Sequence, residues 1–264
     1  MNISSELGLP LIIAKSNIHK NNKNKVDHFL CHDFTSAFGI YCLQKLWAFH
    51  LYSSEGEPLS ICNIDCTFKR REGQLHNGHF FLNYLSTRGL RIYNAGIEAT
   101  RMDKLEFIAD FPIVQKYLSV CLYSPTSCNV CAKCRRTLLE LDAIEKLEKF
   151  GEVFDIQYYK DNRPEYYQYM FDRIVVKDHY CLEVLQRIQG RISKEEYDFY
   201  FGLALQKIKS KPELNPLEIK KVIIGYILKV LVDAKRYKKF RRNQKLFFRD
   251  SKSIVIRFLG RLYN

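Results

Sequence analysis

Residues 121–150 read CLYSPTSCNVCAKCRRTLLELDAIEKLEKF, and four cysteines, Cys121, Cys128, Cys131 and Cys134, stand in the spacing Cys-x6-Cys-x2-Cys-x2-Cys. A Cys-x2-Cys pair brings two thiolates together around a tight turn, where they chelate one tetrahedral ion. The third cysteine of the triplet closes the same loop, and Cys121 arrives from upstream. Four thiolates fill the coordination shell and leave no open position, so a structural zinc is expected rather than a catalytic one. An iron–sulfur cluster is the other metal chemistry that four cysteines allow. Lys133, Arg135 and Arg136 are placed to offset the charge of the thiolates. Behind the loop, Arg135–Phe150 has the apolar spacing of an amphipathic helix, with Gly151 placed to stop it.

Upstream of the loop, short apolar runs alternate with helical patterns. Leu9–Ala14 (LPLIIA), Trp47–Tyr52, Leu90–Asn94 and Ser119–Leu122 read as strands. Phe34–Leu46, His79–Leu85 and Thr100–Asp110 read as helices, the last with Thr100 as its N-cap. Ser16–Lys25 and Glu55–Asn77 are rich in turn residues and read as loops. This alternation predicts an α/β fold with a short, largely parallel sheet covered on both faces. Downstream the pattern becomes helical: Glu165–Val176, Tyr180–Ile188, Lys194–Lys207 and Pro216–Val232. Ser193 with Glu196 forms a capping-box pattern, and Asn215-Pro216 gives a cap followed by proline at the first helical position.

Charge divides the chain at the same place. The net charge is +13, yet residues 1–159 hold 18 Lys and Arg against 17 Asp and Glu, while residues 160–264 hold 24 against 12. Two domains are therefore expected: 1–159, α/β with the zinc loop, and 160–264, basic and helical. Met1–Pro10 lacks the basic start and apolar stretch of a secretory signal. No apolar run reaches the roughly 18–20 residues needed to cross a bilayer. Val222–Val232 comes nearest and is interrupted by Lys229. The remaining cysteines, Cys31, Cys42, Cys62, Cys66 and Cys181, are scattered singly, which suits a cytoplasmic protein with free thiols better than a disulfide framework.

The stretch Gly96–Tyr158 resembles the C-terminal part of the N-type ATP pyrophosphatases (the PP-loop family), in particular proteins similar to the cyano-deazaguanine synthases. The resemblance rests on three features: Thr-Arg-x-x-Lys (Thr100, Arg101, Lys104), the Cys-x6-Cys-x2-Cys-x2-Cys loop, and Arg-Thr-Leu-Leu-x-Leu leading to Phe-x-x-Val-Phe-Asp. Glu6–Asn17 (ELGLPLIIAKSN) extends it, so that it covers residues 5–160. It implies a Rossmann-like sheet of the adenine-nucleotide α-hydrolase type. It also implies zinc and ATP as cofactors, and ATP-dependent activation of a carboxylate followed by attack of ammonia. The substrate would be a small molecule related to deazapurines or to surface polysaccharides. The family's Ser-Gly-Gly-x-Asp-Ser loop, whose backbone N–H groups cradle the ATP phosphates, has no counterpart in these 264 residues, and Asn83 stands where an acidic residue is expected. ATP turnover by the chain alone is therefore not expected. Either the gene is truncated, or a separate chain carrying the phosphate loop, or a homodimer, completes the enzyme.

Further candidates remain open. Arg101 and Lys104 lie near one helical face, where both can reach a phosphate or form a salt-bridged face with Asp103 and Glu106. Ser53 and Ser54 sit at a strand's C-terminal end, where parallel sheets present ligand contacts. Cys62, Cys66, His76 and His79 form a loose second set of metal ligands, and His28 and His32 flank Cys31; unligated residues are expected at both places. Lys235–Arg249 (KRYKKFRRNQKLFFR) is strongly basic, with Tyr237, Phe240, Phe247 and Phe248 interleaved. It reads as a solvated helix, a nucleic-acid contact or an anionic membrane contact. A rival to the enzyme reading is thus a zinc-stabilised module that binds nucleic acid or an anionic surface.

Overall fold

The chain opens on a single helical turn, α1 (Ile3–Glu6). Gly8 ends it with φ +66, while Leu9 N–H reaches Ser4 C=O at 2.8 Å and Gly8 N–H reaches Ser5 C=O at 3.3 Å. That pair of bonds is the Schellman stop, and Pro10 follows as it commonly does. The computed structural model describes residues 3–18, 28–53, 83–96, 98–121, 123–176 and 178–209. They form two units, one comprising Met1–Met170 with Asp178–Ile188 and the other Phe171–Lys177 with Gln189–Asn264.

In the first unit, α2 (His28–Cys42) precedes β1 (Phe49–Ser53), and β2 (Arg91–Ala95) pairs with β1 in parallel, from Phe49↔Arg91 to Ser53↔Ala95. Ile40 of α2 packs with Leu90 and Ile92, joined by Tyr41, Trp47, Tyr52 and Leu85. A 3₁₀ turn, Asn83–Leu85, ends at the carbonyl of Leu85, to which the Tyr41 hydroxyl donates. Ser86 Oγ accepts from Ile92 N–H at 2.9 Å and lies 3.3 Å from its C=O, so a side chain occupies this stretch of the sheet edge. The opposite face of the pair carries Phe49, Leu51 and Tyr93, all exposed, with the rings of Phe49 and Tyr93 stacked.

The helical part of this unit is organised around α5 (Ala132–Ala143). It is reached through α3 (Arg101–Ile108) and α4 (Pro112–Tyr117), the latter starting on proline. Thr100 caps α3 through a full capping box: its hydroxyl accepts from Asp103 N–H, and the Asp103 carboxylate accepts from Thr100 N–H. α5 (Ala132–Ala143) is buried at every position from Thr137 to Ala143, so it is central rather than amphipathic. The polar residues on this stretch are partnered. Glu140 meets Arg101, and Asp142 accepts from the Tyr159 hydroxyl at 2.7 Å. A 3₁₀ turn, Leu147–Phe150, α6 (Ile156–Asp161) and the first part of α7 (Arg163–Ile174) follow. α8 (His179–Ile188) packs on α5 and α3 through Cys181, Leu182, Val184 and Ile188.

The second unit contains α9 (Lys194–Lys209), capped by the reciprocal Ser193–Glu196 bonds at 2.9 and 3.1 Å. Phe171 stacks on Tyr200 and meets Tyr197 and Phe201 edge-on. No helix among the described residues is long and apolar enough to cross a membrane.

The structure is thus mixed α/β and mostly helical, with a two-stranded parallel sheet among the described residues. Three expectations are corrected. Leu9–Ala14 is not a strand: Leu9, Leu11, Ile12 and Ile13 are 50–74% exposed, and Pro10 lacks the N–H a ladder needs. Ser119–Cys121 is irregular rather than a strand, and the Tyr123 N–H turns to the Cys121 sulfur at 3.5 Å. The helix expected over Arg135–Phe150 starts earlier, at Ala132, and breaks at Glu145, whose φ is +60. Pro216–Val232 and Lys235–Arg249 lie outside the described residues.

Candidate metal centre

Two local devices bring the four sulfurs together. The first is the start of α5. Cys131 is its N-cap residue, with extended φ and ψ, and its Sγ accepts from Cys134 N–H at 3.4 Å. One step earlier, Cys128 Sγ accepts from Cys131 N–H, also at 3.4 Å. Amides that would be orphaned at a helix start are thus directed at sulfur, an arrangement that favours thiolates.

The second device is Asn129. Its φ of +60 and the 2.7 Å bond from Val130 N–H to Cys128 C=O describe a γ-turn of the rarer, positive-φ form. Asparagine tolerates this region better than other side chains bearing a Cβ. The turn is pinned on both sides: Asn129 Nδ2 donates to Asp155 C=O at 2.6 Å, and the Tyr166 hydroxyl donates to Asn129 C=O at 2.9 Å. The Asp155 side chain in turn caps α6 through Tyr158 N–H. The loop is therefore fastened to α6 and α7 as well as to its own helix.

The geometry that results suits a metal. The four Sγ atoms all lie within 4.8 Å of one another, and those of Cys128 and Cys134 are 4.0 Å apart. A tetrahedral ion with Zn–S bonds of ~2.3 Å requires sulfurs about 3.8 Å apart, so small adjustments of these side chains complete the shell. Cys131 and Cys134 are buried, whereas Cys121 and Cys128 are half-buried. The two ends also differ in acidity. The Tyr123 N–H beside Cys121 holds its thiol down at about 6, while burial pushes the Cys134 thiol up to about 12. A buried thiol of that kind gives up its proton to a cation, which links metal uptake to proton release.

The arginines that follow the loop are engaged with aromatic rings. Arg135 lies 5.7 Å from the ring centres of both Tyr166 and Tyr169, and Arg136 lies 4.4 Å above Tyr180. Lys133 is exposed on the first turn. Arg101 places its Nε 2.9 and 3.1 Å from the two oxygens of Glu140, which is 1% exposed, and its Nη2 3.2 Å from Thr137 Oγ1. Lys104 lies on the next turn of α3. Asp103 and Glu106 of that helix meet Arg187 of α8 at 3.4 and 3.0 Å. Ser53 closes β1 and is exposed. Ser54, Cys62, Cys66, His76 and His79 lie outside the described residues, and His28 and His32 fall within α2.

Sequence reasoning missed Asn129, Asp155, Tyr166 and Tyr169, which hold the loop without being ligands. An asparagine directly after a ligand cysteine was the available signal, since that is where a positive φ is needed. Comparisons with protein-family models, curated proteins and solved structures find no match for this chain.

Proposed function

We propose that the four cysteines hold a structural zinc ion within a protein similar to the N-type ATP pyrophosphatases, linked to ATP-dependent activation and amidation of a small molecule. The convergence of four sulfurs within 4.8 Å carries the metal part of this reading. A closed shell of four thiolates gives zinc no open position for substrate, so the ion supplies a cross-link. It joins the chain at Cys121 to the start of α5, around which the helical part of the unit is built.

The enzymatic part rests on the quoted motifs. The Thr-Arg-x-x-Lys segment forms the capped start of α3, and Arg-Thr-Leu-Leu-x-Leu forms the buried body of α5. The parallel pair β1–β2 agrees with a Rossmann-like sheet in strand direction. Because these 264 residues contain no Ser-Gly-Gly-x-Asp-Ser loop, pyrophosphate release from ATP requires a phosphate loop from elsewhere.

The test is metal analysis of protein made without chelator, with X-ray absorption at the zinc edge. About one zinc per chain with four sulfur neighbours at ~2.3 Å is expected. Cys131→Ser should lower both metal content and thermal stability, because binding energy at such a site is folding energy. A metal-free protein whose melting does not respond to added zinc would refute the proposal.

A further inference from the structure

The metal centre is built in two unequal halves. Cys131 (7% exposed) and Cys134 (0% exposed) belong to the N-terminus of α5. Cys121 and Cys128 are half-buried and bracket a surface excursion in which Tyr123 is 81% exposed and Pro125 and Thr126 are exposed. Six pairings of four cysteines are possible. Proximity does not select among them, since all four sulfurs lie within 4.8 Å of one another. Accessibility does. A small oxidant arriving from solvent reaches the outer sulfurs, while helix packing shields the inner ones.

Resting on the metal reading above, we infer that Cys121 and Cys128 form an oxidative modification site that releases the metal. Peroxide is the class of oxidant the site takes. The Cys121 thiolate attacks one peroxide oxygen; the S–O bond forms, the O–O bond breaks, and hydroxide leaves, giving the sulfenic acid. The Cys128 thiolate then attacks the Cys121 sulfur; the S–S bond forms, the S–O bond breaks, and a second hydroxide leaves. Two thiolates lose two electrons in total, and one peroxide gains them. Six residues separate the two cysteines, and the described ones among them, 123–127, are in neither helix nor strand, so this stretch can accommodate the bond. With two of its four ligands consumed, the ion keeps only Cys131 and Cys134 and is lost to any chelator.

The experiment uses the full chain in its zinc form, treated with hydrogen peroxide in the presence of a chromogenic chelator. Peptide mapping of disulfides accompanies it, and separates the centre from other thiols such as the exposed Cys42. The expected result is about one zinc released per two centre thiols lost, with Cys121–Cys128 the dominant disulfide and Cys131 and Cys134 still alkylatable after denaturation. Reductant and zinc should restore the starting state. Zinc release with Cys131–Cys134 as the dominant disulfide would overturn the inference, and so would retention of zinc under excess peroxide. Protein that never holds zinc would overturn the metal reading itself, a different outcome from either.

Discussion

At the scale of the residue, Asn129 shapes the cysteine loop without offering a sulfur to it. It adopts a positive φ, is 3% exposed, and holds the chain at Asp155 through a short hydrogen bond. Asn129→Ala should cost about 1 kcal/mol, from the lost Nδ2 bond to Asp155 C=O, which keeps the Tyr159 N–H as a donor, and from alanine held at positive φ. Urea unfolding of zinc-loaded protein measures it, and a change within error would deny the loop its anchor. Asp110 offers a second measurement. Lys149 at 2.6 Å and Lys146 at 2.9 Å hold its carboxyl down, to about 2. A depressed carboxylate contributes stability above its unfolded value, near 4, and loses it as pH falls through the folded value. The Asp110 carboxyl signal should therefore titrate near pH 2 by NMR, and in a Lys146→Ala, Lys149→Ala variant it should return towards 4. The group is fully exposed, so the effect on overall stability should be small.

At the scale of the element, α5 ends where sequence periodicity says it should continue. Lys146 N–H reaches Leu141 C=O at 3.0 Å and Glu145 N–H reaches Asp142 C=O at 3.1 Å, a second Schellman stop, this time with Glu145 in the position glycine normally takes. Glu145→Gly should stabilise the protein by about 1 kcal/mol, since glycine adopts this conformation without the Cβ penalty. A measurable loss of stability would show that the Glu145 side chain outweighs its backbone strain. The same helix shows what was legible beforehand. Thr100 and Ser193 announce their caps through local chemistry, and local chemistry survives folding. The break at Glu145 has no glycine or proline to mark it, so the apolar pattern ran through it to Phe150. Leu9–Ala14 misled for the opposite reason: an apolar run states that burial is sought, and only tertiary structure says whether a neighbouring strand supplies it. The cysteine spacing was legible because sulfurs that must converge constrain the sequence directly, whereas the tyrosines that steady the loop lie 37 residues beyond the backbone they bind.

At the scale of the whole molecule, charge is the property to test. Nearly all of the net +13 lies beyond residue 159, and Lys235–Arg249 is its densest part. The alternative proposal, a module that binds nucleic acid, requires affinity that falls with salt by about 0.9 in log–log slope for each duplex phosphate neutralised. Replacing Lys238, Lys239, Arg241 and Arg242 with Ser should then flatten that slope by as much as about 3–4. Filter binding or fluorescence anisotropy across a salt series reads it. Salt-independent affinity, or none at low salt, would leave the basic segment with a different task.

The contact between Arg101 and Glu140 has a mechanical consequence. Glu140 follows Cys134 by six residues on the same rod, about 9 Å along the axis at 1.5 Å per residue. The cysteine loop thus forms one end of a stiff bar, and the buried carboxylate in its C-terminal half meets the first turn of α3. The path from the sulfurs to Arg101 runs along the helix backbone and through one ion pair, Arg101–Glu140. Arg101 is thereby tied, through Glu140 and the rod of α5, to the end of the helix where the four sulfurs converge.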